Sequence, residues 1–149
     1  MITGGLIWAW SMQLFFVLVF LQAHRSVAPD PKPGQWRVAM AVTKTPSEPF
    51  EVTKKTLEAM LAQDFPHDTW LADEDPSPEV LDWCKTHGVR VSTRKGVKEY
   101  HQKTWPRRTR CKEGNLAYFY DHWGYDEYDI VSQLDDDHVP QPGYLREMV

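Results

Sequence analysis

Apolar and polar positions divide this chain into two unequal parts. Residues 2–23 (ITGGLIWAWSMQLFFVLVFLQA) carry no charge and are mostly apolar, and every Asp, Glu, Lys and Arg comes after residue 24. At about 1.5 Å of rise per residue, a helix of this length reaches roughly 33 Å, enough for a hydrocarbon core of about 30 Å. The expectation is a transmembrane helix over 2–23. Trp8 and Trp10 lie near one end, and Arg25, Lys32 and Arg37 flank only the other. The positive-inside rule then puts the N-terminus outside and the remainder in the cytoplasm, as a single-pass protein of the cell membrane. A cleaved signal peptide is the rival reading, since Ser26-Val27-Ala28 resembles a small-residue cleavage site. The absence of a positive n-region and the length of the apolar core favour the anchor.

Three prolines in Ala28-Pro29-Asp30-Pro31-Lys32-Pro33-Gly34 mark an extended linker, taken as 24–35. Beyond it the pattern alternates. Residues 37–42 (RVAMAV) read as a buried strand. Residues 50–64 read as a helix whose apolar face is Val52, Leu57, Met60 and Leu61, stopped by Pro66. Residues 69–72 form a second strand. Ser77 then caps a helix with Pro78 at its first position, carrying Val80, Leu81 and Cys84 and ending at Gly88. Residues 89–93 are a third strand, 116–123 (LAYFYDHW) an aromatic-rich helix, 129–134 a fourth strand, and Pro142 opens a last helix. The order βαβαβαβ predicts an α/β fold with a parallel sheet, and ligands in such sheets bind outside the carboxyl ends of the strands.

Composition adds little at first. The chain has 149 residues, 21 acidic and 17 basic side chains and a net charge of -4. That balance argues against bulk nucleic-acid binding. Two cysteines, Cys84 and Cys111, are too few for a disulfide scaffold. The six histidines show no zinc spacing. His138 reads as a loop residue and Cys84 as core.

The positions of the charges say more than their sum. Thr45-Pro46-Ser47-Glu48 follows the first strand, Asp73-Glu74-Asp75 the second, Arg94-Lys95 the third and Asp135-Asp136-Asp137 the fourth. Acid and base from distant segments are expected in one crevice. Three adjacent carboxylates repel one another unless solvated or neutralised by a cation. A hard divalent ion takes oxygen ligands and shares them with phosphates. If the strand geometry continues, Asp135 and Asp137 point one way and Asp136 the other. A solvated acidic turn is the plain alternative, and the apolar frame of Ile130-Val131 and Val139-Pro140 argues against it. Lys112-Glu113-Gly114-Asn115 sits at a helix start, where free N–H groups and a lysine suit a diphosphate. Arg107, Arg108, Arg110 and Lys112 make four basic residues in six, readable also as a nucleic-acid or anionic-lipid patch or as a solvated loop.

From 36 to 149 the motifs resemble those of the processive, membrane-bound family-2 glycosyltransferases, the group that includes cellulose synthase. Thr45-Pro46-Ser47-Glu48-Pro49 is similar to that family's T-Y-N-E-P loop, and residues 56–66 to the helix after it. Asp73-Glu74 stands at its D-D-G, Lys112-Glu113-Gly114-Asn115-Leu116 at K-x-G-N-L, and Leu134-Asp135-Asp136-Asp137-His138-Val139-Pro140 at L-D-A-D-H-V-P. The resemblance implies a glycosyltransferase-A fold, a UDP-sugar donor, Mg²⁺ or Mn²⁺, and inverting hexosyl transfer in polysaccharide synthesis. By position it implies that Thr45 and Glu48 face the nucleoside base, Asp73 the uridine, Lys112 the diphosphate, Asp135 the nucleotide or sugar, and Asp137 the metal.

Pro46 and Ser47 stand where the family has Tyr and Asn, and Glu74 replaces the second Asp of D-D-G without a following Gly. The T-E-D motif carrying the family's general base, and its Q-x-x-R-W, do not occur in these residues, so no catalytic base is assigned. The expectation is the donor-binding N-terminal part of a longer enzyme, truncated at 149, with its acceptor glycan undefined. A non-catalytic nucleotide-binding membrane module is the second reading. A metal-dependent phosphohydrolase with Asp135 or Asp137 as nucleophile is the third.

Overall fold

A computed structural model describes residues 2–24 and 32–149, in two units that divide between Asp30 and Pro31. The first unit is α1 (Ile2–Gln22), one residue shorter than expected. From Thr3 to Gln22 every residue but the half-buried Met12 is exposed, Leu14, Phe15, Phe16, Val17 and Leu18 among them, so no stripe of the helix is set apart for a protein core. Thr3–Gln22 is long and apolar enough to cross a membrane, a test that a signal sequence near the N-terminus also passes. Ser26-Val27-Ala28 and most of the expected linker lie outside the described residues.

The second unit alternates strand and helix. It contains β1 (Val38–Lys44), α2 (Phe50–Leu61), β2 (Asp68–Asp73), α3 (Pro78–Thr86), β3 (Arg90–Thr93), α4 (Lys112–Phe119), α5 (Tyr125–Glu127), β4 (Ile130–Leu134) and α6 (Tyr144–Met148). The four strands form one parallel sheet in the order β3-β2-β1-β4. All seven residues of β1 are buried, as a central strand covered on both faces requires.

Alternate residues of β1 serve two cores. Val38, Met40 and Val42 pack on one side with Leu57 and Met60 of α2, Val80 and Cys84 of α3, and Leu145 of α6. Ala39 and Ala41 pack on the other with Trp70, Phe119 of α4 and Tyr128. The chain travels outward from β1 to β3 and then returns past β1 to β4. Reversing direction while keeping one crossover hand carries the connecting helix to the opposite face, which is where Phe119 lies. The reversal makes the gap between β1 and β4 a topological switch point, the place where crevices open outside the strand ends.

Local differences from expectation have identifiable causes. α2 ends at Leu61 rather than 64, and its buried stripe is Thr53, Thr56, Leu57 and Met60. Val52 and Leu61 flank that stripe and are more than a third exposed. Arg37 and Asp129 sit outside the sheet because each caps the other: Arg37 N–H and guanidinium donate to the Asp129 carboxylate, and Asp129 N–H donates to the Arg37 carbonyl. The aromatic helix starts at Lys112 and passes after Phe119 into a wider π turn, Tyr120–Gly124. At α3 the expected cap holds: Ser77 Oγ accepts from Val80 N–H at 3.3 Å, and Gly88 follows at φ +73°.

Candidate functional site

The strand ends carry the polar residues, and short-range geometry aims them. After β1, the Thr45 N–H donates to Glu48 Oε2 at 2.6 Å and the Thr45 and Ser47 hydroxyls meet at 2.9 Å. The loop is thereby closed by its own side chains, with Glu48 at the mouth of the switch point. After β4, Thr56 of α2 donates its hydroxyl to the Asp136 carbonyl at 2.7 Å, and His138 N–H donates to the Asp135 carbonyl at 3.1 Å. These bonds curl residues 135–138 into a turn, so the extended alternation expected for the triplet does not persist. Its outcome survives by another route. Asp135 and Asp137 approach one another with His138, their ligand atoms all within 4.8 Å, while Asp136 turns inward and is buried.

Lys112, the first residue of α4, spans the switch point. Its Nζ lies 3.1 Å from Glu48, 2.8 Å from Asp136 and 3.4 Å from Asp135. Partial burial works against its charge, but hydrogen bonds to Asp136 and Glu48 outweigh that and hold its pKa above the usual value. A loop after β1, the start of α4 and the turn after β4 thus meet through one ammonium. Thr45, Glu48, Lys112, Asp135 and Asp137 all stand at these strand ends. Lys112 itself is already occupied by carboxylates, so an incoming diphosphate has to share it or displace them.

Asp73 is placed differently. Its side chain is fully buried, with Oδ1 accepting from Asp75 N–H at 3.1 Å and Oδ2 lying 3.4 Å from Lys44 Nζ, a contact of charge without hydrogen-bond alignment. Burial pushes its pKa up against the opposing pull of Lys44. The open surface beside it is a cleft of about 320 Å³ lined by Pro46, Glu74, Asp75, Lys95, Gly96, His101 and Arg110. A second hollow of about 580 Å³ adjoins the triplet, lined by Asp137, His138, Pro140 and Tyr144 among others.

The residue that organises this end of the sheet is Arg94, which is 1% exposed. Its Nε donates to Asn115 Oδ1 at 2.6 Å, Nη1 to the carbonyls of Tyr100 and Arg108, and Nη2 to Glu74 Oε2 and the Cys111 carbonyl, both at 3.0 Å. Burial pushes its pKa down and Glu74 opposes that; a guanidinium stays charged regardless. Asn115 Nδ2 in turn donates to the carbonyls of Lys44 and Ala72, at the ends of β1 and β2. Gly114 is required because a Cβ there would meet Arg94 Cζ at 2.5 Å and the Arg108 carbonyl at 2.6 Å. In the Lys112 motif, Gly114 thus leaves room for the guanidinium and Asn115 accepts from it.

Several of these roles escape sequence reasoning. Glu74 is the partner of Arg94 rather than an open acid, and Asp136 is the closest acid to Lys112. His138, expected as an ordinary loop residue, joins the acidic pair. Only the Gly-Asn spacing after Lys112 hinted at any of this. Comparison of the chain with protein-family models and with curated proteins finds no match.

Proposed function

We propose that this chain binds the donor of a membrane-anchored glycosyltransferase with a glycosyltransferase-A fold, taking a UDP-sugar with Mg²⁺ or Mn²⁺. The observation that carries the reading is the meeting of Glu48, Lys112 and the Asp135–His138 turn at the switch point, where a crevice for a nucleotide diphosphate belongs. α1 serves as the anchor, and the sheet unit faces the cytoplasm.

The donor set fits a hard cation. Two carboxylates with about half or more of their side-chain surface open, and an imidazole beside them, offer ligands while leaving positions for phosphate oxygens. The nitrogen tilts the choice toward Mn²⁺. Such a cation, when bound, stabilises charge on a departing UDP. The chain's own residues do the rest. Lys112 supplies a fixed positive charge beside the diphosphate, while the closed Thr45–Glu48 loop and the cleft at Pro46 take the nucleoside. Buried Asp73 shapes that cleft from beneath through Lys44 and Asp75.

The test is UDP binding by the full chain in detergent micelles, with and without Mn²⁺. Micromolar to millimolar binding that needs the cation and is lost in the Asp135→Ala plus Asp137→Ala variant is expected. Binding that is unchanged by either manipulation refutes the site.

A further inference from the structure

Charge is distributed in this chain so unevenly that its net value conceals a basic segment. Eight of the 17 Lys and Arg residues fall within 94–112, against a single acid, Glu99. Four of them have work already described: Arg94 is buried, Lys112 spans the switch point, and Lys95 and Arg110 line the cleft. Lys98, Lys103, Arg107 and Arg108 remain on the outer surface of the loop between β3 and α4.

That loop is built rather than slack. Gln102 N–H donates to the Arg107 carbonyl at 2.7 Å and Thr109 N–H to the Gln102 carbonyl at 3.1 Å, pinching its base. Arg94 holds the Tyr100, Arg108 and Cys111 carbonyls from inside. The Arg107 guanidinium lies over the Tyr100 ring at 4.3 Å. The pinch leaves residues 103–106 as a tip, and at that tip Trp105 is 72% exposed. Among the described residues Trp105 stacks on no other ring, and Lys98 and Lys103 make no ion pair. Arg107 and Arg108 are paired with Asp121 and Glu113, on the side facing α4.

We propose that this loop is a membrane-surface contact that sets Trp105 at the headgroup level of an anionic leaflet. A large aromatic with a polar edge, exposed at the tip of a loop that carries Lys98, Lys103, Arg107 and Arg108, matches the chemistry of that interface. The ring sits among headgroups while Lys and Arg meet anionic lipid. A neutral glycan would use the Trp but not the cations. A soluble phosphate would use the cations but not the Trp. The occupant is on hand, since α1 is long and apolar enough to cross a bilayer. The inference does not rest on the nucleotide-sugar reading and stands or falls separately from it.

The experiment uses the full chain in nanodiscs and reads trypsin cleavage after Lys103, Arg107 and Arg108. Near an anionic surface each basic side chain strengthens attachment roughly fivefold, discounted here by Asp121 and Glu113. Cleavage in discs containing about a third phosphatidylserine is therefore expected to be at least about fivefold slower than in phosphatidylcholine discs. The protection should fade at high salt. Trp105→Ser, a surface change that leaves the pinch intact, should reduce it, and so should Lys103→Glu. UDP binding is unaffected by either. Equal cleavage in the two lipids overturns the proposal. So does equal protection in phosphatidylcholine discs by added pyrophosphate, which would make the loop a soluble-anion site.

Discussion

Replacing Arg94 with Met tests how the strand-end region is held together. Methionine keeps much of the aliphatic length but removes every donor. Five acceptors lose their partner: Asn115 Oδ1, Glu74 Oε2 and the carbonyls of Tyr100, Arg108 and Cys111. The carbonyls of the exposed loop residue Arg108 and half-exposed Cys111 can recover water. The Glu74 carboxylate cannot do so easily, since its side chain is only 7% exposed, though Arg110 N–H still reaches Oε1 at 3.1 Å. Breaking a buried ion pair by removing one partner costs about 3–5 kcal/mol, mostly the uncompensated charge. For a unit of this size that corresponds to a fall in Tm of roughly 10–20 °C. The assay is denaturant and thermal unfolding of the full chain in micelles, followed by tryptophan emission. Adding Glu74→Leu removes the stranded charge, so the double variant should recover part of the loss. Arg94→Lys should fare little better than Met, because one ammonium cannot serve five acceptors in a planar fork. A Met variant within about 1 kcal/mol of wild type, or a double variant no better than the single, refutes this account.

Lys112→Met should separate metal from nucleotide: removing the ammonium 3.4 Å from Asp135 raises Mn²⁺ affinity in the absence of UDP by up to about tenfold, while UDP affinity falls, both readable by calorimetry. Gly114→Ala should destabilise by about 1–3 kcal/mol in the same unfolding assay, because the Arg108 backbone and the Arg94 guanidinium have no room to yield. Burial pushes the Cys84 thiol from its ordinary 9.0 up to about 11. The stability it contributes is present below pH 9 and lost as pH rises through 11. About 1.4 kcal/mol of it is gone by pH 10 and about twice that above pH 11, so wild type should lose those amounts relative to Cys84→Ala as pH rises from 8. Under native conditions an alkylating reagent should modify half-exposed Cys111 and spare Cys84, as mass spectrometry of peptides would show.

Features legible in the sequence are those set by neighbours along the chain. The helix read over 50–64 and found as Phe50–Leu61, the Ser77-Pro78 start and the Gly88 stop each depend on a few adjacent residues. The placement of four polar clusters at four strand ends followed from alternation alone. What was illegible depends on partners far apart. No local pattern marks Arg94 as buried, because its acceptors come from residues 74, 100, 108, 111 and 115. The stripe of α2 was assigned by hydrophobicity, yet Thr53 and Thr56 occupy it, and the Thr56 hydroxyl is needed on the Asp136 carbonyl 80 residues away. The same bond explains why the Asp triplet is a turn. An extended strand was assumed, but side-chain capping outcompeted it at the sheet edge.

Acidic and basic groups were expected in one crevice; Lys112 meets the acids there, and the other cations are distributed differently. One guanidinium is spent inside, holding the β3–α4 loop to the strand ends. One ammonium crosses the switch point and contacts three acids there. Among the outer cations, Arg107 and Arg108 pair with Asp121 and Glu113. The division follows from burial: a charge at 1% exposure needs fixed partners, while charges on a pinched tip do not. Rigidity then links the parts. Arg94 fixes the loop that ends at Cys111, and Cys111 precedes Lys112, so the position of that ammonium depends on the Arg94–Glu74 ion pair. Loosening Arg94 should therefore weaken UDP binding even in conditions where the sheet remains folded, with Asp135 and Asp137 intact.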